Sequence, residues 1–360
     1  MTRTTDNLWL HRFAIVTAAA ALLLIGLGGL VTSHEAGLAV PDWPTTYGYN
    51  MFLFPPSQWM GGIFYEHTHR LFASWVGLLT TILAIWLWLK ESRAWVRWWG
   101  VAAFLAVVLQ GVLGGLRVVL FQAQLGIVHA ALAQLFLVLV SALAVITSRW
   151  WREVARNLEG VRVGKNLQCL LVISTGVILI QLVLGATMRH QHAGLAVPDF
   201  PLAYGKIWPP TDPASLEKIN RTRMDIQDYN PITAFQIRLH LTHRLWAVLI
   251  LVLVGISAPK ISQQVGPKNT LSRLSTFWFG LVLFQAVLGA ATVWSNKSAD
   301  VATSHVVVGA LCLVLGSTLT LMVYRCASVA GKKFVLPDSE KVYSSSELPR
   351  DIACTAVSLP

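Results

Sequence analysis

Long apolar runs, each near the length of a membrane-spanning helix, alternate with shorter polar segments along most of the chain. A helix needs about 20 consecutive apolar residues to cross the hydrocarbon core of a bilayer. Tryptophans stand at many run ends, which is typical of residues at the membrane–water interface. The pattern therefore predicts an all-α integral membrane protein with eight transmembrane helices. The predicted spans are residues 11–32, 67–89, 97–115, 124–147, 167–188, 238–258, 274–294 and 302–324.

Composition supports this class and excludes others. The chain has 360 residues, of which 55% are hydrophobic and 12% charged, whereas a soluble domain carries about 25% charged residues. The net charge of +11 comes from basic residues in loops between the runs, so it is a topology signal and predicts no nucleic-acid partner. The four cysteines show no spacing typical of a zinc site or a disulfide framework. They are Cys169, Cys312, Cys326 and Cys354.

Basic residues also predict the orientation. They are concentrated in the termini and in the loops that follow spans two, four and six. Cytoplasmic loops carry such an excess of Lys and Arg, so both termini are predicted to be cytoplasmic. The long loops 33–66 and 189–236 then face outward, bordering the lipid bilayer. Because no transit-type extension precedes the first run, we expect a multi-pass protein of the cell (inner) membrane of a bacterium.

Sequence motifs recur in the same order in two halves of the chain. This duplication predicts two tandem four-helix bundles, related by pseudo-twofold symmetry along the membrane normal. The predicted divisions are an N-terminal bundle at 1–150, a cytoplasmic linker at 151–165, a C-terminal bundle at 166–325 and a polar, disordered cytoplasmic tail at 326–360. The recurring motifs are AGLAVPDWP (36–44) with AGLAVPDFP (193–201), THRL (68–71 with 242–245), and QGVLGG (110–115) with QAVLGA (285–290).

Four of the ten histidines occupy equivalent places in the two halves. His69 and His243 lie near the outer ends of spans two and six, and His129 and His305 lie slightly inside spans four and eight. Any one of them alone is more often an interfacial or hydrogen-bonded residue than a ligand. A pair repeated in both halves favours a function, because ionisable groups inside a membrane are costly. Two histidines on facing helices can supply both axial ligands of a haem iron, and they lack the further ligands of a zinc or di-iron site.

Neighbouring residues fit such pockets, although each also fits a purely structural role. Arg70 and Arg244 follow the first histidine of each pair and are placed to bind haem propionates, although snorkelling to the interface accounts for them equally. Glu66 stands three residues before His69, whereas His240 takes that place before His243. A carboxylate beside a porphyrin edge can accept a proton, and a solvated residue at the span boundary is the alternative for Glu66. The pattern alone thus predicts a membrane protein with two haem pockets, and the difference between Glu66 and His240 suggests one reactive half and one electron-transfer half.

The same motifs resemble those of the haem A synthase (Cox15/CtaA) family over about residues 10–325. The resemblance rests on EHTHR at 66–70, the AGLAVPDWP loop, the second THR at 242–244 and the late histidines. Family members oxidise a ring methyl of haem O to a formyl group, giving haem A for cytochrome oxidase assembly. The resemblance implies a haem b cofactor held by His243 and His305, with Arg244 beside it. It also implies substrate haem at His69 and His129 with Arg70, and a catalytic role for Glu66.

The resemblance further implies haem O as substrate and a haem O synthase (protohaem farnesyltransferase) as its source. The electron acceptor stays unknown, and a homo-oligomer is left open. Many bacterial members carry a cysteine pair near the position of Val40, Pro41 and Asp42. This chain has none in either long loop, so that thiol chemistry is absent.

Two other classes compete with the enzyme. A di-haem electron-transfer protein of the quinol-oxidising cytochrome b type stacks its haems across the membrane and needs histidines near both faces. Here the four histidines cluster near the outer face. A transporter with parallel repeats needs broken helices with ionisable groups near the midplane, and the apolar runs show none.

Overall fold

The structure, a computed structural model, describes residues 7–157, 163–222 and 230–333. Within them, ten α-helices account for most residues, and the only β-type pairings are two isolated bridges, Thr46 with Tyr49 and Ala203 with Lys206. The helices are α1 Leu8–Ser33, α2 Gly61–Lys90, α3 Ala94–Val119, α4 Ala123–Thr147, α5 Arg149–Asn157, α6 Lys165–His190, α7 Pro213–Thr222, α8 Ala234–Val265, α9 Thr270–Trp294 and α10 Ala299–Lys333.

Eight of these helices are long and apolar enough to cross a membrane, which confirms the predicted all-α membrane class. Most begin or end a few residues beyond the predicted span, and the largest differences lie at the start of α2 and at the ends of α8 and α10. A helix satisfies its own backbone hydrogen bonds, so polar residues at the membrane interface do not end it. The motif that contains Glu66 and His69 is therefore helical throughout.

The long helices form two groups of four. In the first group α1 packs on α2 and α4, and α3 packs on the same two helices. In the second, α6 and α9 each pack on α8 and α10. Between the groups, α1 contacts α10, and α4 contacts both α6 and α10. A twofold axis between the groups would exchange α1 with α6 and α4 with α10. Each contact between the groups would then coincide with a contact of the same set. The pseudo-twofold symmetry itself stays a prediction.

Two short helices were not predicted. Part of the predicted linker 151–165 belongs to α5, which packs against α10. Trp151 is buried there, beneath the guanidinium of Arg325, whose carbon lies 5.1 Å from the ring centre. In the outer loop, α7 is fastened by a reciprocal pair of hydrogen bonds between Asn220 and the backbone of Ile232, at 2.7 and 3.0 Å.

The predicted tail begins too early. Residues 326–333 continue α10, and Cys326 is buried in the C-terminal core. The helix continues because the segment after Arg325 is rich in small and apolar residues and contains no proline. The rest of the predicted tail, 334–360, lies outside the described residues, as do 158–162 of the predicted linker.

Polar contacts join the two groups of helices. Arg189, near the end of α6, donates hydrogen bonds to the carbonyl of Gly29 at 2.8 Å and to Oγ of Ser33 at 2.9 Å, both on α1. Ser33 in turn lies 3.2 Å from the hydroxyl of Thr303 on α10. Gly29 also lies against Thr303, since a Cβ placed on it would be 3.1 Å from a Thr303 methyl. One arginine therefore ties α1 to α6 where α10 also meets them.

We expect Arg189→Met to lower the free energy of unfolding by about 1.5–3 kcal/mol, the range for a hydrogen bond to a charged group. The methionine keeps the apolar stem and removes only the donors. Denaturant unfolding in detergent micelles would measure the change. Lys268→Met, at an exposed residue between α8 and α9, is the control and should have little effect. Equal changes in the two variants would contradict a structural role for the Arg189 contacts.

Candidate functional site

Each of the four duplicated histidines lies against a glycine of a neighbouring helix. A Cβ placed on Gly28 of α1 would lie 3.1 Å from Cε1 of His69, and one on Gly114 of α3 would lie 3.4 Å from Cε1 of His129. The second half repeats these contacts. There the corresponding distances are 3.3 Å from Gly185 of α6 to His243 and 3.2 Å from Gly289 of α9 to His305. The absence of a side chain at these glycines is what allows the imidazoles to stand between helices.

The C-terminal pair has the spacing that one iron atom requires. The ring centres of His243 and His305 are 6.4 Å apart, with the ring planes inclined at 68°. A metal–imidazole bond is about 2.0 Å, and the ring centre lies about 1.1 Å behind the nitrogen, so two axial imidazoles have centres roughly 6.3 Å apart. Any inclination between the planes is compatible with axial ligation. These residues therefore fit a haem group.

One nitrogen of each ring also lacks a hydrogen-bond partner within the protein. In each of the four histidines Nδ1 is buried without a hydrogen-bond partner, and the rings remain partly accessible. A buried polar atom without a partner is unusual in a native fold. No group of three or more His, Cys, Asp or Glu side chains that could hold a free metal ion occurs in the part of the chain that the structure describes. The donor set is thus two imidazoles per half.

A glutamine fixes the backbone of the second histidine in each half. Nε2 of Gln110 donates to the carbonyl of His129 at 3.3 Å, and Nε2 of Gln285 donates to that of His305 at 2.8 Å. Each glutamine lies one turn before the glycine that faces the same imidazole. The two residues act together, because one holds the histidine helix close and the other gives the ring its space.

Glu66 is buried, with 3% of its surface exposed, rather than solvated at the span boundary. Its Oε1 accepts a hydrogen bond from Arg70 at 2.8 Å, and its Oε2 accepts one from the backbone N–H of Val40 at 2.9 Å. The carboxylate therefore has a charged partner and a backbone donor, the arrangement that makes a buried charge tolerable.

Arg70 holds the outer loop in place. Its terminal nitrogens donate to the carbonyls of Asp42, Thr45 and Val40 at 2.6, 3.1 and 2.7 Å, besides Glu66. Four of the five guanidinium N–H groups are thereby used, and only Nε–H remains for the predicted propionate. In the other half Arg244 donates to the carbonyls of Leu202, Val197 and Asp199 at 2.9, 3.4 and 2.7 Å.

An aspartate organises each loop from within. Asp42 accepts hydrogen bonds from the N–H of Tyr47 at 2.8 Å and of Gly48 at 2.9 Å, and Asp199 does the same for Tyr204 and Gly205. Burial alone would raise the pKa of Asp42. The hydrogen bonds outweigh burial and bring the pKa below its ordinary value, so the carboxylate is ionised at neutral pH.

The sequence analysis gave no site role to Arg117, at the outer end of α3. It lies within electrostatic range of Glu66, His69 and His129. Its guanidinium is packed against Gly37 of the outer loop. The signal was present in the aligned repeats, because QGVLGGLR ends in Arg117 where QAVLGAAT ends in Thr292.

Two further histidines are structural neighbours of the sites. His67 is fully buried beneath the outer loop, 3.2 Å from the hydroxyl of Thr46 and against the rings of Phe54 and Trp59. His240 is also buried, with Nδ1 lacking a hydrogen-bond partner. It takes the place of Glu66 in the second half.

The fold and the paired imidazoles define a multi-pass helical membrane protein with two candidate haem sites near one membrane face. The profile of the COX15-CtaA family, described as cytochrome oxidase assembly protein, matches residues 11–316. The chain belongs to this family, which confirms the resemblance predicted from the motifs.

Similar proteins cover nearly the same length. A protein named heme A synthase from Alkalihalophilus pseudofirmus is 23% identical over 87% of this chain and 97% of its own length. A second, from Halalkalibacterium halodurans, is 26% identical over 82% of this chain and 91% of its own. A third, from Shewanella oneidensis, is 24% identical over 89% and 97%.

We expect Arg70→Met to destabilise the protein by about 3–5 kcal/mol, because it leaves the buried Glu66 carboxylate without its charged partner. Arg244→Met, the matched control, should cost about 1–3 kcal/mol, because it removes hydrogen bonds to carbonyls only. Denaturant unfolding in micelles would compare the two variants. Adding Glu66→Gln to Arg70→Met should recover part of the loss, and a further loss instead would contradict the ion pair.

Proposed function

We propose that this chain is a haem A synthase, which oxidises a ring methyl of haem O to a formyl group. The observation that carries the proposal is the asymmetry between two otherwise matched histidine sites. Both halves offer two imidazoles on facing helices, and among the described residues a buried carboxylate, Glu66, stands three residues before the first histidine of the N-terminal half, with no counterpart in the other half. Membership of the family and the names of the similar proteins support the same reaction.

The C-terminal half would hold haem b through His243 and His305. Haem b, when bound, supplies one-electron redox chemistry. The chain's own contribution there is to fix both imidazoles, through Gly185 and Gly289 beside the rings and Gln285 on the His305 carbonyl. Such rigid support is needed because loosely held ligands lose their geometry.

The N-terminal half would bind haem O as substrate through His69 and His129. Oxidation of a methyl to an aldehyde with water as the oxygen source releases four protons and passes four electrons to an acceptor, so a base near the reacting carbon is useful. Glu66 is that base in this proposal, accepting a proton at a carboxylate oxygen. Arg70 acts as a positioning residue, because its hydrogen bonds hold both Glu66 and the loop that covers it.

The proposed function also implies a source for the substrate, a use for the product and an orientation in the membrane. The substrate would come from a haem O synthase in the bilayer, and haem A would serve cytochrome oxidase assembly. The membrane in this proposal is the inner membrane of a bacterium, and the distribution of basic residues supports cytoplasmic termini with both haem sites near the outer face. All four histidines lie within about 14 Å of the outer starts of α2, α4, α8 and α10, at 1.5 Å per residue. This placement does not favour an electron carrier with haems stacked across the membrane.

Expression with a source of haem O tests the reaction. Extracted haems, separated by chromatography, should include haem A for the native chain. In Glu66→Gln we expect at least a 100-fold loss of haem A formation with bound haem retained, since a general base contributes about 10²–10⁴ in rate. Glu35→Gln, an exposed carboxylate of the same outer region, should form haem A normally. A haem-loaded native protein that makes no haem A would instead indicate the electron-transfer alternative.

Absorption spectra test the assignment of the halves. We expect His243→Ala or His305→Ala to abolish the low-spin haem b spectrum, because each variant removes one axial ligand of the proposed cofactor site. His69→Ala, the matched change in the other half, should leave that spectrum in place. A spectrum lost with His69 and kept without His243 would reverse the assignment.

A further inference from the structure

Arg117 differs from the other arginines around the two sites, because its donors are not used by the protein. Arg70, Arg189 and Arg244 all donate to carbonyl or hydroxyl oxygens. Among the described residues Arg117 has no hydrogen-bond or ion-pair partner within contact distance, although it is only half-exposed at most. None of its nitrogens is among the buried unpaired side-chain atoms of the described residues, so its donors are open to an anion, the partner that a guanidinium binds best.

The surroundings of Arg117 place it at the rim of the N-terminal site. It interacts electrostatically with Glu66, His69 and His129, and also with His190 at the outer end of α6. On the loop side its guanidinium lies so close to Gly37 that a Cβ there would collide with it. The side chain is therefore confined beneath the outer loop, close to both imidazoles.

The matched position in the other half carries no charge. Thr292 corresponds to Arg117, and its hydroxyl donates back to the carbonyl of Leu288 on its own helix at 2.9 Å. Near the histidines the two halves thus differ in charge at Glu66 against His240 and at Arg117 against Thr292. Both charged residues stand in the half that we assign to the substrate.

We propose that Arg117 binds a propionate carboxylate of the substrate haem and so sets its rotation about the iron relative to Glu66. This inference rests on the proposed function. A guanidinium binds a carboxylate through two parallel hydrogen bonds, which fixes direction as well as position. The ring methyls of a porphyrin differ only in where they lie around the macrocycle. A contact to one edge therefore selects which methyl faces the carboxylate of Glu66.

Esterified substrate tests the proposal through binding, without need of turnover. The protein with its C-terminal half filled would be titrated with haem O and with haem O dimethyl ester, in which both carboxylates are neutral. The native chain should bind the acid about 10-fold or more tightly than the ester. In Arg117→Gln this ratio should fall close to one, whereas Thr292→Val, the matched control, should keep it. An unchanged ratio in Arg117→Gln would overturn the proposal. An unchanged ratio is also what we expect if Arg117 pairs with a lipid phosphate instead of the substrate.

Two further measurements show whether the variant is folded and separate this proposal from the proposed enzyme activity. The haem b spectrum of the C-terminal half reports whether Arg117→Gln is folded. If that spectrum is lost, Arg117→Lys is measured instead, because lysine keeps the charge and loses the paired hydrogen bonds. A ratio of acid to ester affinity below the native one would support the proposal, and an unchanged ratio would overturn it. An ester effect that depends on Arg117 in a protein that makes no haem A would sustain the binding site and reject the enzyme.

Discussion

Close approach of an imidazole to the bare Cα of a glycine on the next helix is the contact on which both sites depend. It occurs four times, between α1 and α2, α3 and α4, α6 and α8, and α9 and α10. A side chain at the glycine would push the histidine or the helix away, and interiors packed at crystal-like density do not absorb such a shift freely. The contact therefore fixes which helices are neighbours and directs each ring into its bundle.

The loops 33–66 and 189–236 are fastened to the helices beside the histidines by hydrogen bonds from Arg70 and Arg244. Loop carbonyls that are turned toward the protein need donors within it, because a buried backbone carbonyl without a partner is costly. Arg70 and Arg244 supply them, each donating to two carbonyls of the repeated AGLAVPD motif and to one carbonyl three residues beyond it. Since each arginine directly follows an iron-ligand candidate, the loop is held next to the site. A substitution at one of these arginines would also disturb the position of the adjacent histidine, because the two residues are consecutive in the chain.

Much of this organisation could be predicted from the sequence. Apolar run length gave the eight spans, because spanning a bilayer imposes a minimum that few other structures share. The duplication picked out the histidines, since only paired positions recur. The short helices α5 and α7 were missed because they are polar, and their stability depends on tertiary contacts such as Arg325 over Trp151. Hydrogen-bond partners of Arg70 were also beyond reach, because they join residues about 25–30 apart in the chain through a loop whose path has no periodic signal.

The two charge differences between the halves are best understood together. Relative to His240 and Thr292, the pair Glu66 and Arg117 adds one negative and one positive charge, so the net charge of the region is unchanged while charge is separated within it. Arg117 without Glu66 would add a second positive charge beside Arg70 with no carboxylate near it, which is destabilising in a poorly hydrated site. Arg70 already pairs with Glu66, so Arg117 keeps free donors while it still gains from the nearby carboxylate. A duplicated bundle could in this way acquire an acid and an anion-binding group without losing the helix packing that holds its two imidazoles.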